Sequence, residues 1–112
     1  MLATMQTIVV LNQDQMGHGD RVLGQKILAT FLKKSIALPG FTALVFYNAG
    51  VKLVGPDSAL LGELRALEER GVEIIPCGTC LAHFAITPAV GKVSDMDTIV
   101  RELGRADKVI TL

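Results

Sequence analysis

Tryptophan is absent, tyrosine occurs once, and aromatic residues make up 4% of the 112-residue chain. Single-stranded nucleic acid is held largely by stacking its bases on aromatic side chains, so that class has little support here. An excess of one charge is missing too: eleven basic side chains balance eleven acidic ones, for a formal net charge of +0. Phosphate backbones and anionic membrane surfaces call for a basic excess, so neither nucleic acid nor a membrane is an expected partner. No apolar run approaches the ~20 residues of a membrane-spanning helix. The stretch Met1–Leu11 lacks the basic flank of a secretory leader and reads better as a strand, which makes a cytoplasmic setting the expectation. Cysteine is scarce, with only Cys77 and Cys80. A compartment that keeps thiols reduced disfavours a structural disulfide, and the pair becomes the main chemical lead.

What the chain does have is apolar material: half its residues are hydrophobic and 20% are charged, which excludes a disordered or low-complexity class. With no linker, repeat or charge block, residues 1–112 read as a single domain. Thr7–Leu11 (TIVVL), Thr42–Tyr47 (TALVFY), Val72–Pro76 (VEIIP), Lys92–Val93 and Lys108–Thr111 (KVIT) read as strands. Helices are expected between them. The first is capped by Asp20, with Leu23, Ile27 and Phe31, flanked by Leu28 and Leu32, as its buried side. The second starts near Asp57 or Ser58, carries Leu60, Leu64 and Leu67 inward, and stops at Gly71. A short helix is expected over Cys80–Ala85. A last one, capped by Ser94 with Asp97 three residues on, has Met96, Ile99, Val100 and Leu103 on one face and closes at Gly104. Alternating strands and helices give an α/β fold: a three-layer αβα arrangement with a mostly parallel sheet of about five strands, doubly wound in the flavodoxin manner.

Such sheets bind ligands beyond the carboxyl ends of their strands. The segments there are Asn12–Gly19, Asn48–Gly55, Cys77–Cys80 and Ser94–Met96, and most of the unusual polar residues fall in them. Cys77 stands where a strand gives way to a helix, so helix N–H groups are expected to point at its sulfur and favour the reactive thiolate. Gly78 leaves the approach open and Thr79 offers a hydroxyl; the plainer reading of Cys77 is a small buried hydrophobe at a strand end. Cys80 completes a C-x-x-C, the spacing of a thioredoxin-type couple, although such motifs follow the first strand rather than the third. Resolving a persulfide, forming a protective disulfide and simple packing all stay open for it. His83 extends the motif to C-x-x-C-x-x-H, and with His18 it makes a zinc set on paper; structural zinc sites pair two such motifs, and only one is present, so no metal or cofactor is expected. Gly17-His18-Gly19-Asp20 is a weak anion-loop signal without the full G-x-G-x-x-G. Asn48 and Gly50 offer an amide and a close backbone N–H, and Met96 borders the same edge. Asp14, Asp20 and Asp95 are further candidates to gather there.

Several blocks taken together (MGHGD, LGQKIL, FYNAGVKL, GVEIIPCGTCLAHF and VGKVSDMDTIV) resemble the DsrE-like sulfur-relay superfamily, and within it the C-terminal domain of YedF-type selenium metabolism proteins. The resemblance implies a parallel α/β sheet, assembly into dimers, trimers or hexamers, and a cysteine just after the third strand that carries sulfane sulfur as a persulfide. Cys77 matches that position, and Cys80 matches only the CGTC branch. The chain departs from the YedF pattern in lacking a TusA-like domain, in having His18 where the branch often has Arg, and in having His83 where it often has Tyr or another polar residue. The leading reading is therefore a cytoplasmic sulfur or selenium relay protein, a sulfurtransferase or carrier. Its partners would be separate donor and acceptor proteins or small persulfides, and it would assemble as a homodimer or homotrimer. A dithiol–disulfide oxidoreductase or redox sensor, and a non-catalytic oligomeric ligand-binding module, are the alternatives.

Overall fold

The computed structural model describes residues 5–112; the first four, part of the Met1–Leu11 stretch read as leaderless, lie outside the described residues. Four strands, β1 (Thr7–Leu11), β2 (Phe41–Phe46), β3 (Glu73–Pro76) and β4 (Lys108–Thr111), form one sheet in the order β3-β2-β1-β4. Every pairing is parallel. The chain steps outward from β1 to β2 to β3 and then crosses back to place β4 beyond β1. That differs from the expected flavodoxin order and is the 3-2-1-4 order of a Rossmann-type half.

The pleat sorts the strand residues into two cores. Val9, Leu11, Leu44, Phe46 and Ile74 face helices α1 (Arg21–Lys34) and α2 (Leu61–Glu69), meeting Leu28, Leu32, Leu64 and Leu67. Ile8, Val10, Ala43, Val45 and Ile75 face the other way and meet Ile99 of α4 (Met96–Arg105). The result is the expected three-layer αβα arrangement. Among the described residues no helix is long and apolar enough to cross a membrane.

The expected fifth strand at Lys92–Val93 does not form. Gly91, at φ +78 with Ile74 pressed against it, turns the chain sharply beside β3. Only Ser94 then pairs, in a single parallel bridge to Cys77. That use of Ser94 also corrects the helix cap: Asp95 caps α4, its carboxylate accepting from the Thr98 N–H at 2.7 Å. On α4 only Ile99 is fully buried, while Met96 and Val100 are 47% and 60% exposed. The helix runs one residue past Gly104.

Helix α1 is capped by Asp20 as expected, with the Leu23 N–H at 2.8 Å. Its buried line is Gly24, Leu28 and Leu32, one position on from the expected stripe, and Leu23 and Ile27 are 54% and 40% exposed. The cause is Gly24: a Cβ there would lie 2.9 Å from Gln15 Cβ and 3.1 Å from the Met16 carbonyl, so the first loop packs on that bare face. Helix α2 begins at Leu61 rather than near Asp57, because Ser58 spends its hydroxyl accepting from the Leu60 N–H inside the preceding turn. It ends at Gly71 (φ +96) in a Schellman arrangement, with Val72 N–H to Leu67 and Gly71 N–H to Glu68.

Candidate active site at the carboxyl edge of the sheet

Because the strands are parallel, their carboxyl ends share one edge. There β3 passes into Cys77 and then α3 (Gly78–His83), two residues earlier than the helix read from the sequence. Cys77 is still sheet-like: its N–H donates to the Phe46 carbonyl at 2.9 Å, and it bridges Ser94. Strand alternation puts its side chain on the face of Ile75, under Ile99, where it is 1% exposed. It caps α3, yet its sulfur receives no hydrogen bond from the helix. The Gly78 N–H goes to the Ser94 carbonyl at 2.8 Å, and the Leu81 N–H returns to the Cys77 carbonyl. The exposed, donor-ringed setting expected for this sulfur is therefore not found, since the two-residue period of β3 carries it into the α4-side core.

Cys80, three residues on, is half-buried and touches both cores. Its Sγ accepts the backbone N–H of Asn48 at 3.1 Å. Asn48 follows β2 in the left-handed region, at φ +50, and opens the 3-10 segment Asn48–Val54. Two residues later Gly50 is buried so tightly that a Cβ would lie 2.1 Å from the Leu11 carbonyl oxygen. The contact with β1 thus fixes the turn that aims the Asn48 N–H. Both thiols are free. Burial pushes the Cys80 thiol above its usual pKa; the Asn48 N–H pulls it back in part, and the neighbouring Cys77 thiol pushes it up again.

The other expected site residues divide. Gly78 is required by packing: a Cβ would meet the Ser94 carbonyl at 2.8 Å and Val93 at 3.0 Å. Thr79 and His83 are exposed on α3, with His83 edge-on to Phe84 at 4.9 Å between centroids. Gly17, at φ +81, and His18 are exposed in the loop after β1, and Met96 is exposed at the start of α4. Among the described residues no three His, Cys, Asp or Glu side chains gather to hold a metal. The aspartates do not gather either: Asp20 and Asp95 are helix caps, and Asp14 pairs with Arg21 through two hydrogen bonds of 3.0 and 2.6 Å. The Arg21 guanidinium holds the Asp14 carboxyl below its usual range. Two features escape a reading of the sequence. Lys52 Nζ lies 4.8 Å over the Phe84 ring. A cavity of about 540 Å³ between α1 and α2, lined among others by Arg21, Lys52, Asp57 and Glu63, includes neither cysteine.

The sequence profile of the DsrE/DsrF-like family matches residues 27–112, well over half of the chain. The chain belongs to the DsrE/DsrF-like family. Solved structures share the fold of this DsrE/DsrF-like chain. YchN from E. coli superposes with a TM-score of 0.67 at 19% identity, over 96% of this chain and 100% of that one. MTH1491 from Methanobacterium thermoautotrophicum, a protein of unknown function, gives 0.70 at 22%, over 96% and 99%. BT1422 from Bacteroides thetaiotaomicron, likewise of unknown function, gives 0.67 at 18%, over 96% and 95%. No curated protein matches the sequence.

Proposed function

We propose that this DsrE/DsrF-like protein relays sulfane sulfur through Cys77 and Cys80, holding it as a persulfide on Cys77. The observation that carries the reading is the pairing of two free, neighbouring thiols at the carboxyl edge of the sheet, in a family associated with sulfur relay. Persulfide chemistry needs a thiolate that attacks a sulfane sulfur and a place where the product is kept from reductants. Burial of Cys77 in the core that also holds Ile75 and Ile99 supports the second. Gly17, His18, Asn48, Thr79, His83 and Met96 would form the surrounding edge that a donor or acceptor meets, with Gly50 and Gly78 shaping the backbone beneath it.

The donor and acceptor would be separate proteins or small persulfides, met in a cytoplasmic setting that keeps both thiols reduced. Selenium would ride the same thiols by the same exchange, a reading that rests on the resemblance to YedF-type domains. The exposed apolar residues of α4 support assembly as a homodimer or homotrimer. Peptide mapping of the wild-type protein after treatment with cysteine persulfide tests the reading. One added sulfur on Cys77 is expected, and a protein that retains none would overturn it.

A second reading, a dithiol–disulfide oxidoreductase, draws on the same neighbouring thiols. A measured reduction potential and disulfide-reductase activity separate the two, because a relay protein is a poor reductant of protein disulfides.

A further inference from the structure

The two sulfurs differ in ways that the C-x-x-C spacing does not convey. Cys77 is closed off beneath α4, whereas Cys80 is only half-buried. Among the described residues it is the Cys80 sulfur, not that of Cys77, that accepts a backbone N–H. The donor is Asn48, an exposed non-glycine residue in the left-handed region, and such strained positions persist where the surrounding structure over-determines them. Here the determinant is Gly50 wedged against the Leu11 carbonyl. Its backbone could not approach β1 so closely with any side chain in place. The turn therefore presents a fixed N–H to one sulfur, and that sulfur belongs to the less buried of the two cysteines.

We propose that sulfur enters this protein at Cys80, with the Asn48 N–H stabilising the attacking thiolate, and passes from there to Cys77. The proposal rests on the relay reading above and fixes its order. In the first step the Cys80 thiolate forms a bond to the terminal sulfur of a donor persulfide, R–S–SH. The donor's S–S bond breaks, and R–S⁻ leaves with the electron pair. In the second step the Cys77 thiol attacks the terminal sulfur of Cys80–S–SH. Cys77–S–SH forms, the Cys80 S–S bond breaks, and the proton lost by Cys77 ends on Cys80. Nothing is oxidised or reduced overall, so neither step needs a co-reactant. The division of labour follows from geometry: a half-buried thiol takes the sulfur, and a fully buried neighbour stores it.

The test is single-turnover loading with cysteine persulfide, followed by mass-spectrometric location of the added sulfur in wild type, Cys77→Ser and Cys80→Ser. Cys77→Ser should trap the added sulfur on Cys80, while Cys80→Ser should load at least about tenfold more slowly than wild type. Loading of Cys77 in Cys80→Ser at the wild-type rate would overturn the order. Failure of the wild type to load would instead overturn the relay itself. The order is then read in the unmodified protein by iodoacetamide: Cys80 is alkylated first if it is the accepting thiol, and alkylation of Cys77 first or at an equal rate contradicts it. That second measurement also decides the matter if either serine variant fails to fold.

Discussion

The backbone N–H of Asn48 and the sulfur of Cys80, 32 residues apart in sequence, meet at 3.1 Å across the carboxyl edge of the sheet. The link joins the turn after β2 to the helix after β3, and it depends on Gly50 two positions further on. Gly50→Ala would drive a methyl into the Leu11 carbonyl, at 2.1 Å. A loss of about 3 kcal/mol or more is expected in denaturant unfolding. Gly62→Ala, at an exposed α2 position where a Cβ meets nothing within 4 Å, should instead stabilise, by about 0.5–1 kcal/mol. Equal effects at the two sites would contradict the packing described for Gly50.

The Cys80 thiol is raised by burial, so at neutral pH most of it is protonated and its reactivity follows the small thiolate fraction. Its alkylation rate should climb with pH and reach its plateau at a higher pH than the same cysteine in an unfolded peptide. The sign for stability is set by the same shift. A pKa higher in the folded than in the unfolded state contributes stability that is fully present below the unfolded value and is lost as pH rises through the folded one. Alkaline solutions should therefore weaken the fold unless Cys80 is replaced. A rate profile already flat at pH 7 would show a thiol lowered rather than raised.

Ile99 is the fully buried residue of α4 and shares the α4-side core with Cys77. Ile99→Ala should cost about 2–5 kcal/mol, the range for emptying a buried aliphatic site. In native buffer it should also speed alkylation of Cys77 more than that of Cys80, because Cys77 is fully buried in the core that Ile99 fills and Cys80 only borders it. Equal acceleration of both would mean global unfolding rather than a local opening.

Met96 and Val100 lie on the outer side of α4, and Leu23 and Ile27 lie exposed on α1. Light scattering on the size-exclusion peak should report a dimer or trimer, and Val100→Glu should shift it toward monomer if α4 lies in the contact. A monomeric wild type would remove the assembly proposal.

The apolar runs of the four strands and the Gly71 stop of α2 were legible in the sequence, because each is a local rule with a local signature. The α1 stripe was legible only to within one position. Leu23, Ile27 and Phe31 have the right period, but Gly24, the bare surface on which the first loop packs, decides the rotation, and that contact is not local. The cap of α4 moved from Ser94 to Asp95 for a similar reason, since Ser94 is occupied by its bridge to Cys77. At the site, the C-x-x-C spacing identified both sulfurs and inverted their surroundings. Extending the β3 alternation by one step, from Ile75 to Cys77, would have placed that side chain in the core. The Asn48 donor had no such signal: its approach to Cys80 depends on how β2 and β3 end side by side and on a turn clamped by β1.

The most direct measurement is the intact mass of the protein after incubation with cysteine persulfide and removal of the donor, alongside the Cys77→Ser/Cys80→Ser double variant. Wild type is expected to retain one sulfur per chain and the double variant none. Wild type without added sulfur, or the same gain in both proteins, would contradict a relay through this pair.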